Sequence, residues 1–179
     1  MFKKNLPNLL TISRVLAIPV IVLSFYIQNR YANLITILTF TFACITDFFD
    51  GYLARMWKVQ SRFGKLLDPI ADKLIVVSTI IMLIYKHKVD DFTVIPSIII
   101  ICREILVSGL REFLITVNVS LPVSKVGKIK TFFQMIAVIA LILDDYIVVK
   151  EVGVICLWCA ALITVWSGYR YVVVGIKQI

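Results

Sequence analysis

The chain has 179 residues, 60% of them hydrophobic, and a formal charge of +8. A soluble domain averages about 45–50% apolar residues; this composition excludes one and points to a single membrane-embedded unit over 1–179, too short for a second domain. In such a protein the positive charge fits anionic headgroups or anionic substrates at the membrane surface, and nucleic acid is not expected.

Lys3 and Lys4 precede an apolar stretch with no small-residue cleavage site after it, so no cleavable signal peptide is expected. Within Asn5–Arg14 the polar residues Asn8, Thr11 and Arg14 recur at i, i+3 and i+6 beside Leu6, Leu9, Leu10 and Ile12. That pattern predicts a short interfacial helix before the first span. Capping and snorkelling at a helix start describe the same residues equally well.

Six apolar segments follow, each near the roughly 20 residues that cross a bilayer. They run over 9–27, 31–49, 66–85, 92–117, 126–149 and 152–176. Connections are short, so successive spans are expected to be antiparallel neighbours. Basic residues set the orientation. Lys3, Lys4, Arg55, Lys58, Arg62, Lys65, Lys125, Lys128, Lys130 and Lys177 gather on one side with both termini. That side is expected to be cytoplasmic.

Between the second and third segments the chain reads D-F-F-D-G-Y-L-A-R-M-W-K-V-Q-S-R-F-G-K-L-L-D-P-I-A-D, from Asp47 to Asp72. Asp47, Asp50, Gly51 and Ala54 fall on one helix face, as do Gly64, Asp68 and Asp72. Carboxylates beside membrane-spanning sequence are costly unless neutralised. Four that converge would form a hard oxygen donor set suited to Mg²⁺, Mn²⁺ or Ca²⁺. Gly51 and Ala54 leave room on the same face for a flat or bulky group. A solvated charged loop is the plainer alternative, but it leaves the shared phase of the acids and small residues unexplained.

The pattern D-x2-D-G-x2-A-R-x8-G-x3-D-x3-D resembles the CDP-alcohol phosphotransferase family at all eight fixed positions: Asp47, Asp50, Gly51, Ala54, Arg55, Gly64, Asp68 and Asp72. The resemblance implies that the four aspartates hold two divalent ions, Mg²⁺ or Mn²⁺, and that Asp72 is the base. Nothing in the spacing alone selects Asp72 over Asp68. It further implies that Gly51, Ala54, Arg55, Ser61 and Gly64 bind the CDP-lipid. Asn8-x2-Thr11-x2-Arg14 is similar to the N-terminal motif of the bacterial branch, where it lies along the same ligand. The family also implies a homodimer.

The fourth segment carries Arg103, Glu104, Ser108, Arg111 and Glu112. Charges inside a span demand partners, and Arg103 and Glu104 are expected to form an internal ion pair. Arg111 lies nearer the cytoplasmic end, where a guanidinium suits phosphate. Lys125, Lys128 and Lys130 follow; they are ordinary positive-inside charge or a phosphate-reading cluster. R-E-x3-S-x-L-R-E followed by G-K-x-K-T-x2-Q-M resembles the glycerol 3-phosphate-using branch, the phosphatidylglycerophosphate synthases. The resemblance implies phosphatidyl transfer from CDP-diacylglycerol to sn-glycerol 3-phosphate. So small and doubly charged an acceptor needs cations at short range, and Arg111 and Lys125, with Lys128 or Arg14 in support, are expected on its phosphate. The resemblance runs from Pro7 to about Met135 and is only compositional beyond. Another acceptor within the family, or a divalent-cation transporter, is the alternative; clustering of the carboxylates at one face favours an enzyme. Cys156 and Cys159 form a C-x-x-C without a second ligand pair and are expected to be packing residues, like Cys44 and Cys102.

The expected topology has a direct test. Single cysteines placed at Lys58 and Lys88 in a cysteine-free background should be labelled from opposite faces of the membrane. Labelling from the same face would eliminate the six-span arrangement.

Overall fold

The computed structural model describes residues 2–27, 31–57, 62–116, 125–143 and 147–176. The described residues form six α-helices: α1 Phe2–Ser24, α2 Tyr31–Trp57, α3 Arg62–Tyr85, α4 Asp91–Thr116, α5 Lys125–Ile142 and α6 Ile147–Ile176. The chain divides into two compact units, Met1–Lys86 and His87–Ile179.

In the first unit α1 packs against both α2 and α3. Its inward residues are Thr11, Arg14, Ala17, Ile21 and Ser24, a helical repeat on one face. Its outward face carries Leu9, Ile12, Leu16, Val20 and Leu23. Thr11, Arg14 and Ser24 are turned in beside Ala17 and Ile21, while the outward face is apolar, unlike that of a helix on a soluble protein. The buried hydroxyls are satisfied locally or across helices, as a low-dielectric setting requires. Ser24 Oγ donates to the Ile21 carbonyl at 2.7 Å and lies 2.6 Å from Thr36 Oγ1 on α2. α3 ends at Tyr85, and His87, two residues on, has a φ of 55°, the left-handed conformation usual for glycine just past a helix end.

In the second unit α6 packs against both α4 and α5. A Cβ added at Gly168 would lie 3.2 Å from Arg103 Cγ, and one at Gly175 would lie 3.4 Å from Leu110. The contacts advance together along both helices, so α4 and α6 run in the same direction. Gly153 brings α6 onto α5: its added Cβ would lie 3.0 Å from Leu141 Cγ and 3.1 Å from Ala140 Cβ. Small residues of this kind let helix backbones approach closely. At the α5–α6 turn, Lys88 Nζ donates to the Ile142 carbonyl at 2.8 Å, and Lys150 pairs with Asp90 at 3.0 Å.

Three expectations change in detail. The N-terminal amphipathic stretch and the first apolar segment are one continuous helix, because no breaker separates them and Thr11 and Arg14 continue the inward face. α2 continues past the apolar limit at Phe49 through the expected helix face at Asp50–Ala54 and on to Trp57. α5 ends at Ile142 rather than Val149, and α6 starts at Ile147. The adjacent carboxylates Asp144 and Asp145 fall between them, and a double charge is a poor continuation of an apolar helix. Among the described residues, α4 and α6 contain the two stretches long and apolar enough to cross a membrane, 91–114 and 147–173.

Gly153 gives a packing prediction. A Gly153→Leu chain has no room for its side chain against Leu141 and Ala140. Overpacking of this kind costs about 1–3 kcal/mol, which should lower the thermal unfolding midpoint in detergent. An unchanged midpoint would show that α5 and α6 do not meet as described.

Candidate active site

Arg14 is the centre of the first unit's polar cluster. It projects from the inward face of α1, between the helices that carry the acids. Its Nη1 donates to Asp47 Oδ1 on α2 at 2.9 Å and also to Asp72 Oδ1 on α3. Its Nη2 donates to Asp68 Oδ1 at 3.2 Å. Thr11 Oγ1, one turn earlier, donates to the same Asp68 oxygen. The expected convergence of α2 and α3 carboxylates therefore occurs for Asp47, Asp68 and Asp72.

Burial is uneven across this cluster, and the unevenness matters chemically. The Arg14 side chain is 1% exposed, whereas Asp47, Asp68 and Asp72 are 44%, 37% and 38% exposed. The guanidinium holds the acids from the closed side, leaving carboxylate surface open on the other. Asp68 and Asp72 are one helical turn apart, with Pro69 between them; the chain stays helical through it. Ala71, behind them, is fully buried and fixes that face of α3 against its neighbours.

These residues fit a hard divalent cation in donor type and charge: three oxygen-only ligands around one +1 group leave excess negative charge. Among the described residues, no group of three such side chains already has the arrangement of a metal site. The carboxylates converge on the Arg14 guanidinium. Asp50, Gly51, Ala54 and Arg55 lie on α2, Gly64 on α3 and Asn8 on α1, but their side chains are outside the described residues, as is Ser61 altogether. Arg14, expected to support an acceptor phosphate, is covered and engaged by three carboxylates.

The second unit carries a cation-rich cluster. Glu104 on α4 pairs with Arg103 at 3.7 Å and with Lys130 on α5. The expected Arg103–Glu104 pair is present, and Lys130 is buried with it rather than displayed on a basic surface. Arg103 Nη2 also donates to Ser167 Oγ on α6 at 3.1 Å. Arg111 Nη2 donates to Tyr171 Oη, again on α6, at 2.6 Å, and its guanidinium carbon is 4.9 Å from the Tyr171 ring centroid. Arg103 Nε and Arg111 Nε are buried without a hydrogen bond to any described residue. Lys125 and Lys128 fall in the first turn of α5, and Lys128 is exposed. Cations there oppose the helix dipole, so helix stability does not explain their placement.

A profile of the CDP-alcohol phosphatidyltransferase family matches residues 4–166. The chain belongs to that family. Among its curated relatives, a CDP-diacylglycerol--glycerol-3-phosphate 3-phosphatidyltransferase of Rickettsia felis is 53% identical over 172 residues, covering 94% of this chain and 93% of the relative. Proteins of the same name from Pectobacterium atrosepticum and Salmonella choleraesuis are 42% and 40% identical, each covering 93% of this chain and 92% of the relative. The family match reaches into α6 but ends at Trp166. Ser167 and Tyr171, the α6 partners of the α4 arginines, lie beyond it and beyond the Met135 limit of the sequence resemblance, which missed them. A serine, a glycine and a tyrosine on one face, at Ser167, Gly168 and Tyr171, were the available signal; in isolation such residues read as ordinary helix packing.

Arg14 yields a stability prediction for this family member. Removing one partner of a buried ion pair costs about 3–5 kcal/mol; here the carboxylates are only partly buried, which lowers the expected loss to about 1–3 kcal/mol. Arg14→Gln should therefore unfold at lower temperature than the parent in detergent, and Arg14→Lys should recover part of the difference. Parent-like unfolding of Arg14→Gln would show that the cluster does not depend on the guanidinium.

Proposed function

We propose that the chain transfers the phosphatidyl group of CDP-diacylglycerol to sn-glycerol 3-phosphate, releasing phosphatidylglycerophosphate and CMP. The observation that carries this reading is identity of 40–53% along nearly the whole chain to relatives that share one name. Convergence of Asp47, Asp68 and Asp72 supports it chemically.

In this reading Asp47, Asp50, Asp68 and Asp72 hold two Mg²⁺ or Mn²⁺ ions. Bound ions neutralise the diphosphate and stabilise charge on the leaving CMP. Asn8, Thr11, Gly51, Ala54, Arg55, Ser61 and Gly64 seat the CDP-lipid. Arg14 holds the carboxylates in register from behind. Asp72 accepts the proton of the glycerol 3-phosphate hydroxyl as its oxygen bonds to the phosphatidyl phosphorus and the bond to CMP breaks. Arg111, Lys125 and Lys128 take the acceptor phosphate, for which charge-assisted, bidentate hydrogen bonds are well suited.

The same reading makes the protein a homodimer in the cell membrane, with six spans and with both termini and the active site on the cytoplasmic face. Outward-facing Leu16, Leu23, Leu38, Phe42, Ile98, Ile105, Leu162 and Val165 support an apolar surrounding. The basic residues of the connections support the orientation.

CMP release by purified protein is the test. Glycerol 3-phosphate should be the productive acceptor, while serine, inositol phosphate and phosphatidylglycerol should fail. Asp47→Asn, Asp50→Asn, Asp68→Asn and Asp72→Asn should each abolish or nearly abolish turnover, as should EDTA. Full activity in EDTA refutes the metal-dependent mechanism. Turnover with another acceptor but none with glycerol 3-phosphate leaves the family intact and changes the substrate.

A further inference from the structure

We propose that Tyr171 is a positioning residue for Arg111, so that α6 sets the affinity for the acceptor phosphate. The inference rests on the reading of Arg111 as a phosphate ligand. Two independent contacts link the pair: the 2.6 Å hydrogen bond from Nη2 to Oη and the guanidinium stacked 4.9 Å from the ring centroid. Tyr171 is itself 7% exposed and cannot swing away without opening the helix contact. Close packing of Gly175 on Leu110 and Leu114 fixes α6 against the Arg111 turn of α4.

An arginine side chain loses much rotamer freedom when it grips a ligand. Tyr171 removes that freedom beforehand, which improves binding without adding a contact to the ligand. Its hydroxyl and ring are neutral, so the positive charge of Arg111 is kept. The hydroxyl takes one of five N–H donors. The remaining Nη donors of Arg111 are left for a phosphate oxygen.

The experiment measures initial rates of CMP release by the purified full-length protein in mixed micelles, varying each substrate in turn. Parent, Tyr171→Phe, Arg111→Ala and the double variant are compared. Tyr171→Phe keeps the ring and the fold contact but loses the hydroxyl. Its KM for glycerol 3-phosphate should rise about tenfold, the scale of a hydrogen bond to a charged group. Its kcat and its KM for CDP-diacylglycerol should stay within about twofold, well below that tenfold scale. Arg111→Ala should raise the same KM further, and adding Tyr171→Phe to it should change nothing more, since the tyrosine acts through the arginine. An unchanged KM in Arg111→Ala would overturn the acceptor site and the inference with it. A raised KM in Arg111→Ala with a parent-like Tyr171→Phe would leave the site and overturn the inference alone. Additive effects in the double variant, or a loss of kcat and a rise in both KM values in Tyr171→Phe, would also overturn it by showing a merely structural role.

Discussion

The first unit depends on one buried guanidinium. Asp47 on α2 and Asp68 and Asp72 on α3 would repel one another if brought together in apolar surroundings. Arg14 makes their approach favourable by hydrogen bonding to all three. Because it sits on α1, that helix becomes the element on which both others pack. A charge buried this deeply is stable only while its partners stay in place, so site geometry and helix packing are one constraint. The open sides of the carboxylates follow from the same arrangement: the cation is behind them, leaving the front for ligands.

The second unit applies the same physics with the signs reversed. Three cations, Arg103, Arg111 and Lys130, extend into helical sequence with Glu104 between two of them. Here α6 is the shared element, and its polar stripe Ser167 and Tyr171 meets α4. Glycines on the same stripe allow the close approach that those short hydrogen bonds need. In each unit the charged groups lie among an otherwise mostly apolar core, and the exterior is apolar, which is the distribution an apolar surrounding favours.

Much of this was legible in the sequence because it concerns spacing within a helix. The i, i+4 relation of Asp68 and Asp72 and the shared face of Thr11 and Arg14 follow from periodicity, and the Arg103–Glu104 pair from the need of a charge in apolar sequence for a partner; that the Thr11–Arg14 face turns inward did not. The eight-position motif led to the right family. What spacing does not encode is which helix stands opposite. Arg14 read as a ligand for phosphate because nothing local shows that three carboxylates from two other helices surround it. Lys130 read as positive-inside charge or as part of a phosphate-reading cluster for the same reason: its partner Glu104 is 26 positions away. The α5 boundary was missed because apolar residues continue on both sides of Asp144 and Asp145.

The choice of partner separates the three arginines functionally. Arg14 meets three carboxylates and is more than neutralised. Arg103 shares Glu104 with Lys130, so part of its charge is answered. Among the described residues, Arg111 has the hydroxyl and ring of Tyr171, which orient it without cancelling its charge. A structural arginine inside apolar sequence is best served by an acid, since an unanswered charge is expensive there. Holding Arg111 with a tyrosine instead keeps that cost unless an anion arrives. The arrangement is therefore poorly explained by stability and well explained by binding. It also accounts for a tyrosine on α6 facing inward, where an apolar side chain would carry no polar atom to satisfy.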